Sequence, residues 1–64
     1  MPVITIRLME GRTQEQKREL AKVISEAVSR IANTPLPGVH VIFENVPRAD
    51  WALGGMLFAD RDPH

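Results

Sequence analysis

The chain has no cysteine and no tyrosine, a single tryptophan, and no long run of apolar residues. Without cysteine it can form neither a disulfide framework nor a thiolate metal site. A helix that crosses a bilayer needs about 20 consecutive apolar residues, and a signal peptide combines a charged start with an apolar stretch. Neither pattern is present, so we expect a cytoplasmic protein with no membrane partner.

Excess charge of either sign is also missing. Eight lysines and arginines balance eight aspartates and glutamates, and the formal net charge is zero. Nucleic-acid binding depends on clustered, excess positive charge. We therefore expect no nucleic-acid partner.

The shortness of the chain points to partner subunits. We expect residues 1–64 to form a single domain, and a domain of about 60 residues buries only about 60% of the surface that its unfolded chain exposes. Disulfides, a structural metal or other subunits usually supply the missing stability. Cysteine is absent and His40 and His64 are the only histidines. Oligomerisation is therefore the expected source of stability.

The first half of the chain has the pattern of a strand followed by a helix. Val3–Met9 alternates between two faces and is rich in Val, Ile and Thr, which is typical of a strand. Thr13, followed three residues later by Gln16, matches a capping box at a helix N-terminus. We expect the helix to end at 33–35, because the residue before a proline avoids the α region. Its apolar residues recur at helical spacing and predict one buried stripe, made of Leu20, Val23, Ile24, Ala27, Val28 and Ile31.

The second half predicts a parallel strand and a short hairpin. Residues 39–46 alternate again and complete a β-α-β unit, which implies parallel strands and a right-handed crossover. A polar loop over 47–50 precedes an apolar segment with Gly54-Gly55 at its centre, the pattern of a hairpin, and we expect residues 60–64 to be frayed. The predicted fold class is α+β. One sheet face, with Ile42, and the apolar tail stay exposed in a single chain, so we expect an oligomer with its site between chains.

Pro2 is the residue with the most unusual chemistry. Removal of Met1, which a small second residue favours, would make the secondary amine of proline the chain terminus. An ordinary α-amino group has a pKa of about 7.7–8.0, and desolvation or a nearby cation lowers it. A neutral amine of this kind can act as a general base. The alternative is that Met-Pro is simply a common start of a coding sequence.

Three more side chains are candidates for a binding site. Arg12 precedes the N-terminus of the helix, which attracts anions, and its guanidinium can hold a carboxylate through two hydrogen bonds; alternatively it is a solvated loop residue. Trp51 either packs in a core or interface or forms an apolar wall around the proline amine. His40 has no second ligand at metal-binding spacing, and it is either structural or a hydrogen-bonding partner of a substrate.

The chain combines, in order, a Met-Pro start, a strand, Glu10-Gly11-Arg12, a helix, Pro35-Leu36 before the second strand, and Trp51 ahead of Gly54-Gly55. Together, these features resemble the 4-oxalocrotonate tautomerase family over nearly the whole chain. The resemblance implies a mature chain that starts at proline, a β-α-β fold with a C-terminal hairpin, and hexamers built as trimers of dimers. It also implies an isomerase that needs no cofactor and no metal.

The resemblance also implies a role for each candidate residue. Pro2 would be the general base that moves a proton between the enol and keto forms of a 2-hydroxydienoate or enolpyruvate-type acid. Arg12 would bind the substrate carboxylate, and Trp51 would form the apolar wall. His40 stands where well-studied members carry a second arginine, and histidine lacks the guanidinium fork. Losing such a contact to a developing enolate oxygen costs about 3–4 kcal/mol, so we expect a mono-acid substrate rather than the dicarboxylate 2-hydroxymuconate.

Two other functions stay open. The first is a hydratase or dehalogenase-like lyase acting on unsaturated acids, with Pro2 protonated as the acid. It needs a group that activates water, and Met9 stands where dehalogenase-like relatives carry an extra arginine, so we rank this function below tautomerisation. The second is a non-catalytic oligomeric binding module whose apolar tail only holds subunits together.

Overall fold

The computed structural model describes residues 2–61, which form a β-α-β unit followed by a small hairpin. The two long strands are parallel and the two short ones antiparallel, which confirms the predicted α+β fold. The second long strand begins at His40, one residue later than predicted. The elements are β1 (Val3–Met9), α1 (Gln14–Ile31), β2 (His40–Val46), β3 (Ala52–Leu53), β4 (Met56–Leu57) and α2 (Phe58–Arg61), with short 3-10 helices over Leu36–Gly38 and Arg48–Asp50.

Helix α1 begins at the predicted capping box. The Gln16 backbone N–H donates to the Thr13 hydroxyl oxygen at 3.1 Å, and the Thr13 N–H donates to the Gln16 side-chain oxygen at 2.9 Å. Both donors would otherwise lack a partner at the helix start, so the box stabilises this end. Within residues 2–61, no helix combines the length and the apolar composition that crossing a bilayer requires.

The end of α1 differs from the prediction in position and cause. The last helical residue is Ile31, and Asn33 adopts a left-handed conformation with φ of 55°. The Thr34 N–H then reaches back to the Ser29 carbonyl at 3.1 Å. Asparagine tolerates this conformation better than most residues, and it closes the helix in a Schellman-type motif. The chain therefore leaves the helix before Pro35 acts on it.

The two long strands present different faces, as the alternation predicted. Val3 pairs with His40 and each following residue pairs in turn, up to Met9 with Val46. The inner face, partly covered by α1, carries Ile4, Ile6, Leu8, Val41 and Phe43. The outer face is exposed and carries Val3, Thr5, Arg7, His40, Ile42 and Glu44.

The described chain has no interior of its own. None of its side chains is fully withdrawn from solvent, and the helix stripe predicted as buried is covered only in part, with Ile31 73% exposed and Val23 54% exposed. The radius of gyration is 15.1 Å and the smallest extent 13 Å, whereas a compact domain of this length has a radius of gyration of about 11 Å. A single copy therefore leaves its apolar faces open to solvent.

The tail forms the predicted hairpin and then one helical turn. Gly54 and Gly55 have φ of 62° and 86°, as a two-residue hairpin turn with two left-handed positions requires. Residues 60 and 61, predicted to be frayed, belong instead to α2 (Phe58–Arg61). The remainder of that prediction, residues 62–64, lies outside the described part of the chain.

Candidate active site

Pro2 and His40 are neighbours at the edge of the sheet where both long strands begin. The His40 N–H donates to the Pro2 carbonyl at 3.0 Å. Pro2 is half-buried, whereas His40 is exposed on the outer face of the sheet. The nitrogen of Pro2 is part of an amide as long as Met1 is attached. Met1 lies outside the described residues, so the predicted removal of Met1 stays a prediction.

Arg12 lies beyond the opposite edge, where β1 has ended. The Glu10 N–H continues the strand pairing by donating to the Val46 carbonyl at 3.1 Å. Gly11 then turns the chain with φ of 119°, which a residue with a side chain rarely adopts. Arg12 is exposed directly before the N-cap of α1. It lines an open hollow along that helix with Gln16, Glu19, Leu20 and Val23.

Trp51 lies at the base of the hairpin, beyond the end of β2. Its ring stacks on that of Phe58 with centroids 5.9 Å apart and planes 15° apart. The Phe58 N–H donates to the Trp51 carbonyl at 2.8 Å. Sequence reasoning missed this partner, although counting outward from the two-glycine turn pairs position 51 with position 58. The indole also lines an open hollow with Arg7, Val46, Asp50 and Ala52.

Two arginines that the sequence did not single out hold this segment together. The Arg48 guanidinium donates to the Phe58 carbonyl at 2.8 Å and contacts the Met9 sulfur at 3.5 Å. The Arg61 guanidinium lies over the Phe58 ring at 4.9 Å and donates to the Leu53 carbonyl at 2.8 Å. Nothing in the local sequence pattern distinguishes these residues from solvated arginines. Their partners become visible only once the hairpin has folded back.

The charged pair beside Trp51 is a surface feature. The Arg7 Nε donates to a Glu44 carboxylate oxygen at 2.7 Å, and these side chains are 71% and 47% exposed. Exposed pairs of this kind contribute at most about 1 kcal/mol. The pair joins β1 and β2 across the outer face at the end of the sheet nearer Trp51.

One copy of the chain does not bring the four predicted site residues together. Pro2 and His40 lie at one edge, and Arg12 and Trp51 beyond the other, in separate hollows. The seven residues of β1 separate the two edges, which amounts to about 23 Å at about 3.3 Å per residue. A small carboxylic acid cannot bridge that distance.

The fold is that of a small β-α-β chain of the tautomerase type. The chain belongs to the tautomerase family, because the family model described as "Tautomerase enzyme" matches residues 2–61. A probable tautomerase of Streptococcus pyogenes is 47% identical over 57 residues, which cover 89% of this chain and 93% of the relative.

Solved structures agree with this assignment. A 4-oxalocrotonate tautomerase homologue is 44% identical with a TM-score of 0.92, covering 97% of this chain and 98% of its own. A heterohexamer 4-oxalocrotonate tautomerase from Chloroflexus aurantiacus is 37% identical with a TM-score of 0.90, covering 97% and 100%. These likenesses confirm the resemblance to the 4-oxalocrotonate tautomerase family and support an isomerase with tautomerase-like activity.

Proposed function

We propose that the chain is a cofactor-independent tautomerase that interconverts the enol and keto forms of 2-oxo acids, with Pro2 as the proton carrier. Membership of the family supports the class of reaction. The single observation that carries the assignment to Pro2 is its position: a half-buried proline at the sheet edge, with its carbonyl fixed by the His40 N–H. Because the Pro2 carbonyl is fixed, the directions in which the nitrogen of the same residue can point are limited.

The proposed reaction moves one proton. After removal of Met1, the neutral amine accepts the proton of the 2-hydroxyl group, and the electron pair shifts to a carbon of the conjugated system. The resulting ammonium group returns the proton to that carbon and regenerates the amine. A single group can serve as base and then as acid because the same proton leaves one end of the conjugated unit and arrives at another.

We propose that the working site forms between copies of the chain, in a homohexamer arranged as a trimer of dimers. The accessible surface of one copy is 4981 Å², about 900 Å² more than the roughly 4,100 Å² typical of a folded monomer of this size. A standard protein interface covers about 800 Å² on each partner. A heterohexamer among the similar structures supports the same number of subunits.

Within that assembly, the residues from opposite edges take complementary roles. Pro2 of one copy meets Arg12 and Trp51 of another. The Arg12 guanidinium anchors the substrate carboxylate, and the indole of Trp51 excludes water, which favours the neutral amine. His40, next to Pro2, makes a polar contact to the 2-oxygen, and we propose a mono-acid such as an aryl-substituted 2-hydroxyacrylate as substrate.

The experiment combines intact-mass measurement with an ultraviolet assay of such an enol acid. A mass short by one methionine and ketonisation that depends on Pro2 support the proposal. Pro2→Ala should lower kcat without changing the oligomeric state, and unchanged turnover by this variant would overturn the assignment. The pH–rate profile distinguishes the proposed tautomerase from the lyase alternative, because tautomerisation needs a neutral amine and hydration needs a protonated one.

A further inference from the structure

We propose that Phe58 and Arg48 are positioning residues that hold the indole of Trp51 in place as the wall of the active site. This inference rests on the proposed tautomerase function and adds two residues to it. Neither residue reaches Pro2 or Arg12 in the described contacts; each acts through Trp51 or through the hairpin that carries it.

The contacts between Trp51 and Phe58 restrain both backbone and ring. The two residues are half-buried, whereas every other residue over 47–61 is exposed. Their centroid separation of 5.9 Å lies within the range that stacked aromatic pairs prefer. The hydrogen bond of 2.8 Å from the Phe58 N–H to the Trp51 carbonyl fixes the main chain beside the rings. An indole restrained by both ring stacking and this hydrogen bond has little freedom to move away from a neighbouring copy.

Arg61 restrains Phe58 in turn. Its guanidinium lies 4.9 Å from the centre of the Phe58 ring, within the distance of a cation–π interaction. The same side chain donates to the carbonyl of Leu53, in strand β3 of the hairpin, at 2.8 Å. Indole, phenyl ring and guanidinium therefore form one connected series, which begins at Trp51 and ends in α2.

Arg48 ties this series to the main sheet. Strands β3 and β4 have two residues each, and so short a hairpin has little stability of its own. The Arg48 guanidinium bonds the Phe58 carbonyl at 2.8 Å and the Met9 sulfur at 3.5 Å, and thereby joins the hairpin to the end of β1. The position of Trp51 relative to the sheet therefore depends on Arg48.

The test uses the fluorescence of Trp51 together with kinetics. Trp51 is the only tryptophan, so emission excited at the indole band reports this side chain alone. We expect Phe58→Leu to move the emission to longer wavelength, to increase quenching by acrylamide, and to lower kcat/KM about 3- to 10-fold. The acid limb of the pH–rate profile should also move to higher pH, because more water reaches the proline amine.

Conservative and matched variants separate positioning from general stability. Phe58→Tyr keeps the ring and should keep wild-type emission and kinetics. Arg48→Gln should reproduce the effects of Phe58→Leu in weaker form. Its control is Arg18→Gln, which removes an exposed pair with Glu15 on α1 and should leave emission and kinetics unchanged. If Phe58→Leu does not assemble, as judged by size-exclusion chromatography, Arg48→Gln decides the question, and unchanged emission and kinetics in that variant overturn the proposal.

A double-mutant cycle with Trp51→Leu decides whether Phe58 acts through the indole. We expect Phe58→Leu to lower kcat/KM when Trp51 is present and to have no further effect when it is absent. Equal losses in both backgrounds, or unchanged emission in both Phe58→Leu and Arg48→Gln, overturn the proposal. Wild-type kinetics in Trp51→Leu would instead refute the wall in the proposed function, while emission still shows whether Phe58 and Arg48 hold the indole.

Discussion

Mixing two impaired variants of this chain should restore activity. The variants are Pro2→Ala and Arg12→Ala, purified separately, unfolded and refolded together. Because Pro2 and Arg12 lie at opposite ends of β1, about 23 Å apart by strand geometry, a site between copies takes each residue from a different chain. Some junctions in a mixed oligomer then combine an intact Pro2 with an intact Arg12.

The expected recovery follows from counting junctions. In an equal random mixture each residue is intact in half of the copies, so about a quarter of the symmetric junctions have both. In the proposed site, Arg12→Ala alone would remove a charge-assisted contact worth about 1.5–3 kcal/mol, and we expect kcat/KM to fall about 10- to 150-fold. A kcat/KM of about a quarter of the wild-type value is therefore well above the kcat/KM expected of Arg12→Ala alone.

The assay follows loss of the enol absorbance at a substrate concentration far below KM, so that the rate reports kcat/KM. Native mass spectrometry verifies that mixed oligomers have formed. The control mixes Pro2→Ala with the double variant Pro2→Ala/Arg12→Ala, in which no junction is complete. If mixed oligomers of the two single variants are no more active than the average of their separate activities, the shared site is refuted.

Three further predictions concern single residues. Arg12→Ala should raise KM for an acid substrate but barely for an uncharged ketone, and equal effects in steady-state kinetics would contradict a carboxylate anchor. Thr13→Ala should lower stability by about 1 kcal/mol in thermal unfolding at fixed protein concentration, whereas Thr13→Ser should not, because it keeps the capping oxygen. Gly55→Ala should destabilise the hairpin by about 1–2 kcal/mol and alter Trp51 emission, because φ there is 86°. Gly38→Ala, with open space for a Cβ and no left-handed φ, is the matched control and should leave the emission as it is.

Local patterns accounted for most of the fold because each element depends on nearby residues. The alternation of β1 and the pair Thr13 and Gln16 predicted a strand and a helix start that are confirmed. The prediction of the helix end was wrong because Asn33 takes a left-handed conformation and ends the helix before Pro35 can do so. The hairpin followed from Gly54-Gly55, whose backbone freedom defines the turn.

The grouping of the candidate site residues could not be predicted in the same way. Pro2, His40, Arg12 and Trp51 can each be selected from the sequence for their chemistry, and the predicted parallel strands place Pro2 apart from Arg12. The register that sets His40 beside the start of β1 depends on pairing between the strands, which the sequence pattern does not fix. The contacts around Phe58 were missed for a related reason: cation–π and side-chain-to-carbonyl contacts join parts of the tail that approach only after it folds back. Sequence periodicity carries no information about such contacts.

The described residues of one copy span 13 Å in their smallest dimension and enclose no interior, so we expect folding to depend on protein concentration. In the proposed oligomer, neighbouring chains cover the apolar faces that one copy leaves exposed. Dilution that dissociates the oligomer would therefore remove both this coverage and the active sites between copies. Residues that look superficial in one copy, such as Val3 and Ile31, would then tolerate substitution as poorly as the centre of a larger enzyme. The expression level in the cell would then affect the activity per chain as well as the number of chains.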